Sequence, residues 1–345
     1  MPRAAFEIGG ERVAPGERRT VELPVSALSN HIPVNLPVHV VHGKRPGPTL
    51  FISAAIHGDE ITGVEVVRRI LQSPAMGRLR GTLLAVPIVN AFGFISQSRY
   101  LPDRRDLNRV FPGSPSGSLA SQLANLFMTE VVCRSEFGID LHSAAVHRSN
   151  LPQVRADLSD RQTLELARVF GAPVVVHATL RDGSLRQAAR DAGVRVLLYE
   201  AGEALRFHEV AIRTGVRGVL QVMGALEMLQ RRSNQTVVSP PRAQSSYWIR
   251  APIGGILRSP CRLGEAVGED ATMGVVADPF GEVEENVVAR RGGLIIGMTK
   301  LPIVNRGDAL FHIAQISRDE DFSVSLSELQ QELRDDPLLS DGELD

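Results

Sequence analysis

The sequence has little cysteine and no long uninterrupted hydrophobic run, and these two absences exclude several classes of protein. Cys133 and Cys261 are the two cysteines among 345 residues, too few and too far apart for a disulfide scaffold or a cysteine-based zinc site. No stretch approaches the roughly 20 apolar residues that span a bilayer. The first ten residues, MPRAAFEIGG, lack a secretory apolar segment. We therefore expect a cytoplasmic protein without a membrane anchor.

An excess of charge of one sign is also missing. The 38 basic residues nearly balance the 39 acidic ones, so the formal net charge is −1, whereas nucleic-acid-binding proteins usually carry a basic excess or stripe. Hydrophobic residues make up 43% and charged residues 22%, close to the averages of soluble globular proteins. The chain can thus bury a sizeable core, and we expect no nucleic-acid partner.

Strand and helix patterns alternate between residues 49 and 228. Apolar segments such as TLFISAAI, GTLLAVPIVN, FGIDLH and RVLLYEAG are typical of buried strands, and helical periodicity covers residues 61–72, 119–133 and 161–170. This alternation predicts an α/β sheet covered on both faces. Residues 1–47 carry short alternating runs, which predict a lead-in of β-strands at the sheet edge.

The remainder of the chain changes in composition. The polar segment 231–246 lacks periodicity and predicts a linker, so we place a domain boundary near residue 240. Residues 241–317 are rich in Gly, Val and Ile with regular turn signals, which predict a smaller all-β domain. Residues 318–345 contain ten acidic residues and two arginines, which indicates an acidic tail with one short helix around three leucines.

Two strand ends carry metal-ligating residue types. His57 and Glu60 follow the strand TLFISAAI and, three residues apart, can converge on one ion. Taken alone, such a pair is more often a polar loop. The strand FGIDLH ends on His142, and strand ends at one sheet edge bring ligands together. Two histidines and a glutamate form the protein ligand set of catalytic zinc, although other divalent metals accept the same donors.

An arginine-rich loop lies between these ligands. Residues 99–113 contain four arginines and Asn108, a candidate clamp for anions. Guanidinium groups can bind a carboxylate or stabilise a developing oxyanion, and a merely solvated loop is an equal alternative.

A third strand end, VRVLLYE, delivers Glu200, with Glu203 close by. A carboxylate there could act as general base. The residues alone do not decide between the two glutamates.

Taken in order, these motifs resemble one known family. They are His57-x-x-Glu60, then Arg99, then Asp106-Leu-Asn108-Arg109-x-Phe, then Asp140-Leu-His142, then Glu200-x-Gly202. Over residues 49–224 the chain resembles the succinylglutamate desuccinylase/aspartoacylase family, which belongs with the zinc carboxypeptidases. The resemblance implies a mixed sheet flanked by helices, and the C-terminal part is similar to a barrel-sandwich-like β domain found in some bacterial members.

The resemblance also implies residue roles for a zinc hydrolase. One zinc ion per chain would be held by His57, Glu60 and His142, and Glu200 would be the base that activates water. Arg99 would polarise the scissile carbonyl. The expected substrate is a small N-acyl compound that carries a carboxylate.

In the same comparison, Asn108 and Arg109 would grip the substrate carboxylate. Asp106 and Asp140 would not be ligands, but either could orient a metal-bound histidine, with turn or strand-end capping as an equal alternative. Residues 143–155 should wall the pocket, and His147 within them is expected to line the pocket or lie at the surface rather than bind metal.

Two further features remain open. Arg186 could reach an anionic substrate group, although a helix capped by Ser184 is the simpler interpretation. Carrier domains need a lysine on an exposed hairpin, and the chain has only Lys44 and Lys300. We therefore expect no attached cofactor on the β domain and assign it a structural role, covering the active-site mouth or joining subunits of a homo-oligomer.

Three functions are compatible with the sequence. The first is a zinc-dependent hydrolase that cleaves the amide bond of an N-acyl amino acid or related small amine, favoured by Asn108 and Arg109. The second is a metallocarboxypeptidase acting on a peptide or poly-glutamate C-terminus, which depends on how far the β domain closes the cleft. The third is a noncatalytic metal-containing binding or regulatory protein, which the full set of ligands argues against.

Overall fold

A mixed β-sheet forms the centre of the molecule in this computed structural model, which describes residues 3–230, 240–316 and 323–340. The strands are β1 Phe6–Ile8, β2 Glu11–Val13, β3 Arg18–Ala27, β4 Pro33–His42, β5 Arg45–Ala54, β6 Arg80–Val86, β7 Phe137–Ala144, β8 Arg148–Ala156, β9 Val174–His177, β10 Arg195–Glu203, β11 Arg242–Arg250, β12 Gly255–Arg258, β13 Ala266–Val267, β14 Thr272–Ala277, β15 Glu284–Val288, β16 Gly293–Thr299, β17 Ile303–Val304 and β18 Ala309–Ile316. The helices are α1 Thr62–Gln72, α2 Ala91–Ile95, α3 Leu119–Glu130, α4 Arg161–Phe170, α5 Leu185–Asp191, α6 Glu209–Ala225, α7 Leu326–Arg334 and α8 Pro337–Ser340. No helix within the described ranges is long and apolar enough to cross a membrane.

The central sheet has twelve strands in the order β13-β16-β18-β11-β9-β8-β10-β7-β5-β6-β4-β3. Strands β6, β5, β7 and β10 are parallel neighbours, so their carboxyl ends meet at one edge of the sheet. The strand β8 is antiparallel to β10. Because helices cover both faces, these strands are apolar on both sides, as in the fully buried β7. Of the predicted lead-in strands, β3 and β4 form the other edge of this sheet, whereas β1 and β2 pair with each other in a separate two-stranded sheet.

Two apolar layers hold the helices on the sheet. On one face, α1, α4 and α6 pack against a core that includes Ile52 and Tyr199. On the other face, α3 and α5 pack against a core that includes Phe51 and Phe127. Long apolar side chains from both layers lie against the same central strands. This double layer fixes the strand ends that carry the predicted site.

The C-terminal part after residue 240 is built of strands, but it continues the central sheet. The strand β11 pairs with β9 and β18, and β16 pairs with β8, while β12, β14, β15 and β17 form a separate four-stranded sheet. The predicted linker is wrong for residues 242–246, which form the first half of β11, because pairing with distant strands outweighs their polar composition. Residues 231–239 of that linker lie outside the described residues, and the domain boundary stays a prediction.

The predicted acidic tail contains two helices rather than one. Both α7 and α8 contact α6, and Leu329 and Leu333 are buried in the core that α6 shares. Arg217 of α6 makes an ion pair with Glu332 at 2.6 Å. The buried leucines therefore attach this segment to the part of the molecule that contains α6. Residues 317–322 and 341–345 lie outside the described residues.

Candidate active site and metal centre

His57 and Glu60 lie in a tight turn directly after β5. Ala55 has a positive φ of 50°, which turns the chain away from the strand, and the Glu60 N–H donates to the His57 carbonyl over 3.1 Å. Gly58 sits between them, where an added Cβ would lie 1.9 Å from the backbone of Gly93. Only glycine fits at this close approach. The turn thus buries both predicted ligands at the sheet edge.

His142 comes to the same place from the neighbouring strand. Because β5 and β7 are parallel and in register, the end of β7 lies beside the turn that follows β5. The Nδ1 atoms of His57 and His142 lie 2.7 Å from the Oε1 and Oε2 atoms of Glu60, respectively. The potential ligand atoms of the three residues are all within 4.8 Å of one another. The three predicted metal ligands therefore form one buried cluster.

The other nitrogen of each imidazole faces an aspartate. His57 Nε2 is 3.1 Å from Asp106 Oδ1, and His142 Nε2 is 2.7 Å from Asp140 Oδ2. Asp140 is fully buried and also accepts a hydrogen bond of 2.8 Å from Ser53 Oγ. Both aspartates thus occupy the position from which a carboxylate orients a metal-ligating histidine.

The charges in this cluster favour a cation. Burial lowers the pKa of His142, but Asp140 and Glu60 outweigh it and raise that pKa well above its usual range. Burial alone would raise the pKa of the Glu60 carboxyl, yet the two imidazoles hold it well below the ordinary value. Each imidazole therefore lies between two carboxylates. With neutral histidines the cluster has an excess of negative charge, and its nitrogen and oxygen donors suit a divalent metal such as zinc.

Arg99 lies at the rim of the cluster and is held by Asp106. Its Nε and Nη2 atoms donate to Asp106 Oδ2 over 3.1 and 2.9 Å, and its Nη1 is 3.3 Å from Glu60 Oε1. Burial lowers the pKa of this guanidinium, but Glu60 and Asp106 outweigh it and raise the pKa. Arg99 is therefore a fixed cation next to the cluster. Asp106 orients it and His57 together.

Glu200 lies opposite His142 in the parallel pair of β10 and β7. Residues opposite each other on neighbouring strands point to the same face, so Glu200 shares the face that carries the cluster. Glu203 lies one step beyond an irregularity in the ladder, opposite Ala144. The register therefore places Glu200 directly opposite the predicted ligand His142, whereas Glu203 is paired two residues further along β7.

The structure does not assemble Asn108 and Arg109 into a visible clamp. Asn108 is 8% exposed, and its Oδ1 accepts from the Leu185 N–H at the start of α5 over 2.9 Å. Arg109 is exposed and its Nη1 donates to the Asn108 carbonyl over 2.6 Å. Their role in gripping a carboxylate stays a prediction.

The remaining sequence candidates are placed as follows. His147 is exposed and lies outside the ligand cluster. Ser184 caps α5 by accepting from the Gln187 N–H, the simpler of the two interpretations of that loop. Arg186 donates to the carbonyl of Ala178 over 3.3 Å. Burial lowers its pKa to about 10, with Arg155 adding to the effect and Glu200 opposing it.

The sequence does not single out Asn150. This residue of β8 donates from Nδ2 to Glu200 Oε2 over 3.0 Å. It lies within residues 143–155, the segment predicted to wall the pocket, but no spacing in the sequence marks it.

A comparison with known proteins decides the family. A sequence profile of the succinylglutamate desuccinylase/aspartoacylase catalytic domain matches residues 46–226, just over half of the chain. The chain belongs to the succinylglutamate desuccinylase/aspartoacylase family.

Individual proteins that are similar to this chain are consistent with that assignment. The N-alpha-acetyl-L-2,4-diaminobutyric acid deacetylase of Halomonas elongata is 26% identical over 300 residues, which cover 82% of this chain and 86% of the deacetylase. A succinylglutamate desuccinylase/aspartoacylase structure from Rhodobacter sphaeroides has a TM-score of 0.78 at 23% identity, covering 88% of this chain and 95% of that one. The product-bound ectoine utilization protein EutE from Ruegeria pomeroyi has a TM-score of 0.77 at 21% identity, covering 86% and 94%. Both structures share the mixed α/β fold of this family member.

Proposed function

We propose that the protein is a zinc-dependent hydrolase that cleaves the amide bond of an N-acyl amino acid or a related small N-acyl amine. The observation that carries this proposal is the convergence of His57, Glu60 and His142 within 4.8 Å. The family profile and the deacetylase relative support a deacylation reaction. A non-peptide amide is thus favoured over a peptide bond.

The cluster residues would hold the metal, and the surrounding residues would perform the proton transfers. When bound there, a divalent cation supplies Lewis acidity toward a carbonyl oxygen and lowers the pKa of water. Glu200 takes a proton from the attacking water as the new C–O bond forms, and it returns that proton to the amine nitrogen as the C–N bond breaks. The products are the free carboxylic acid and the amine.

We assign to Arg99 the stabilisation of charge in this reaction. Its guanidinium is fixed by Asp106 before any substrate arrives, and a preorganised donor of this kind stabilises the oxyanion that develops on the carbonyl. Asn108 and Arg109 are proposed to bind the substrate carboxylate. The expected substrate is therefore small and anionic at one end.

Metal analysis and an activity panel test the proposal. We expect about one zinc ion per chain, the stoichiometry of a mononuclear catalytic site, and release of free amine from N-acetyl and N-succinyl amino acids or N-acetyl-diaminobutyrate. Release from short acidic peptides alone would identify a carboxypeptidase. A metal-free protein without turnover would instead indicate a noncatalytic binding protein.

The base is tested by Glu200→Gln, which keeps the shape of the side chain but removes its proton-accepting ability. We expect kcat to fall about 10²- to 10⁴-fold while metal content stays unchanged. Glu203→Gln, on the same strand, is the matched control and should keep its activity. Near-normal turnover in Glu200→Gln would rule out this role for Glu200.

A further inference from the structure

Asn150 contacts the carboxylate of Glu200 because of an irregularity in the sheet. Glu200 lies opposite Gln153, whereas Gly202 lies opposite Asn150, so three steps along β8 match two steps along β10. This is a β-bulge, in which one strand contains an extra residue. In a regular strand, residues three apart face opposite sides. The bulge therefore brings Asn150 to the face that carries Glu200.

The orientation of the Asn150 amide follows from its two neighbours. An ionised carboxylate only accepts hydrogen bonds, so the NH₂ end of the amide must face Glu200, as the 3.0 Å contact shows. The Oδ1 end points to β16, where Gly297 lies opposite Asn150. A Cβ at position 297 would lie 2.7 Å from that Oδ1 atom and 3.2 Å from the Cβ of His312.

Because Gly297 has no side chain, the Asn150 amide can occupy the space beside it. A side chain there would have to displace Asn150 or shift β16 away from β8. The C-terminal strands consequently form one wall of the pocket in which Asn150 is held. Strand β16 lies more than 90 residues further along the chain than Glu200, the proposed base.

We propose that Asn150 is a positioning residue for Glu200 and that β16, through Gly297, keeps Asn150 in place. This inference rests on the proposed function, in which Glu200 is the base. The Asn150 N–H donates to Oε2 of Glu200 and so holds this carboxylate in one orientation. The other oxygen, Oε1, stays available for the proton transfer. A misplacement of about 1 Å can cost about 100-fold in rate, so loss of this contact should act on turnover.

The test is Asn150→Asp, which preserves the size of the side chain but removes its N–H donors. We expect kcat to fall about 10- to 100-fold, as for other residues that support an active-site group, with KM and metal content within about twofold of wild type. Asn286→Asp, on the exposed strand β15, is the matched control and should leave kcat unchanged. A role confined to folding would lower metal content and leave the kcat of the metal-loaded fraction unchanged, and this result would contradict the proposal.

A double variant tests whether Asn150 acts through Glu200. Asn150→Asp alone places two carboxylates side by side and should lower Tm. In the double variant with Glu200→Gln, the amide at position 200 donates to the carboxylate at position 150. The hydrogen bond is restored in the opposite direction, and Tm should recover. The inference would be overturned if the Tm losses of the two single variants added in the double variant. It would also be overturned if Asn150→Asp kept a normal kcat while Glu200→Gln was inactive. Normal kcat in Glu200→Gln would show that Glu200 is not the base and would overturn the inference as well. A wild-type protein without metal and without turnover would overturn the proposed function instead.

Gly297→Ala tests the part played by β16. The added methyl group presses on the Asn150 amide, so kcat should fall with KM and metal content unchanged. An unchanged kcat in this variant would show that β16 does not hold Asn150 in place.

Discussion

Each proposed metal-ligating histidine is held at both ring nitrogens. Glu60 faces the two Nδ1 atoms, and a different aspartate faces each Nε2 atom. An imidazole fixed in this way has one ring orientation and presents one nitrogen to the metal. The two aspartates at the Nε2 atoms therefore fix the ring orientations, and both Nδ1 atoms face Glu60 at the proposed metal position.

Removal of one imidazole should empty the site. In His142→Ala we expect most of the bound metal to be lost, because two protein ligands hold an open zinc site poorly. Inductively coupled plasma mass spectrometry after dialysis measures the metal content. His147→Ala, which alters an exposed histidine five residues away, should retain its metal. Full occupancy in His142→Ala would contradict the ligand assignment.

Residue types at strand ends make this cluster predictable. His57, Glu60 and His142 each follow an apolar run that reads as a buried strand, and parallel strands place such ends at one edge. Asn150 has no comparable signal, because it reaches Glu200 only through the bulge between β8 and β10. A bulge depends on pairing between strands nearly 50 residues apart, and neither strand encodes it alone.

At the scale of elements, α7 attaches the C-terminal segment to the catalytic half. Leu333 is fully buried against α6, and Arg217 of α6 is paired with Glu332. An ion pair whose glutamate is 66% exposed contributes little to stability. The apolar contact of Leu333 with α6 therefore provides most of the attachment. The stability of this segment therefore depends on its leucines.

Leu333→Ala should lower the free energy of unfolding by about 2–5 kcal/mol, the range for truncating a buried leucine. Chemical denaturation measures the change. Gln330→Ala, on the exposed face of the same helix, should stay within about 0.5 kcal/mol of wild type. Equal stabilities for the two variants would show that α7 does not pack on α6 in solution.

Local signals explain which elements the sequence predicts well. The helix α4 spans the predicted residues 161–170 because Asp160 accepts from the Thr163 N–H at its start and Gly171, with a φ of 72°, ends it. The observed helix α3 is shorter than the predicted helix 119–133, because it ends at Glu130 and a 3-10 turn follows over Val132–Arg134. The start of β11 has no local signal and is determined by its partners β9 and β18.

At the scale of the whole molecule, one sheet connects the catalytic strands to the C-terminal strands. The pairing of β11 with β9 and of β16 with β8 joins the C-terminal strands to this sheet and places β16 directly beside the strand that carries Asn150. A region bound in this way shares the hydrogen bonds of the catalytic half. We expect the two to unfold together.

The single tryptophan makes this expectation measurable. Trp248 lies on β11 and stacks on His312 with ring centroids 4.5 Å apart, so its fluorescence reports on the C-terminal strands. Far-UV circular dichroism is dominated by the helices of the catalytic half. Coincident thermal transitions in the two signals would indicate one cooperative unit. Separate transitions would show that the C-terminal strands unfold independently.

The contact between Gly297 and Asn150 couples two positions that lie far apart in the sequence, so substitutions at one position affect which residues fit at the other. A side chain at position 297 would displace the Asn150 amide, because its Cβ would lie 2.7 Å from Asn150 Oδ1. We therefore expect substitutions at position 297 to accompany changes at position 150. Recombination that exchanges the C-terminal strands for those of another family member would separate these matched positions. Chimeras that retain β8 and β16 from the same parent should therefore be the ones that keep their activity.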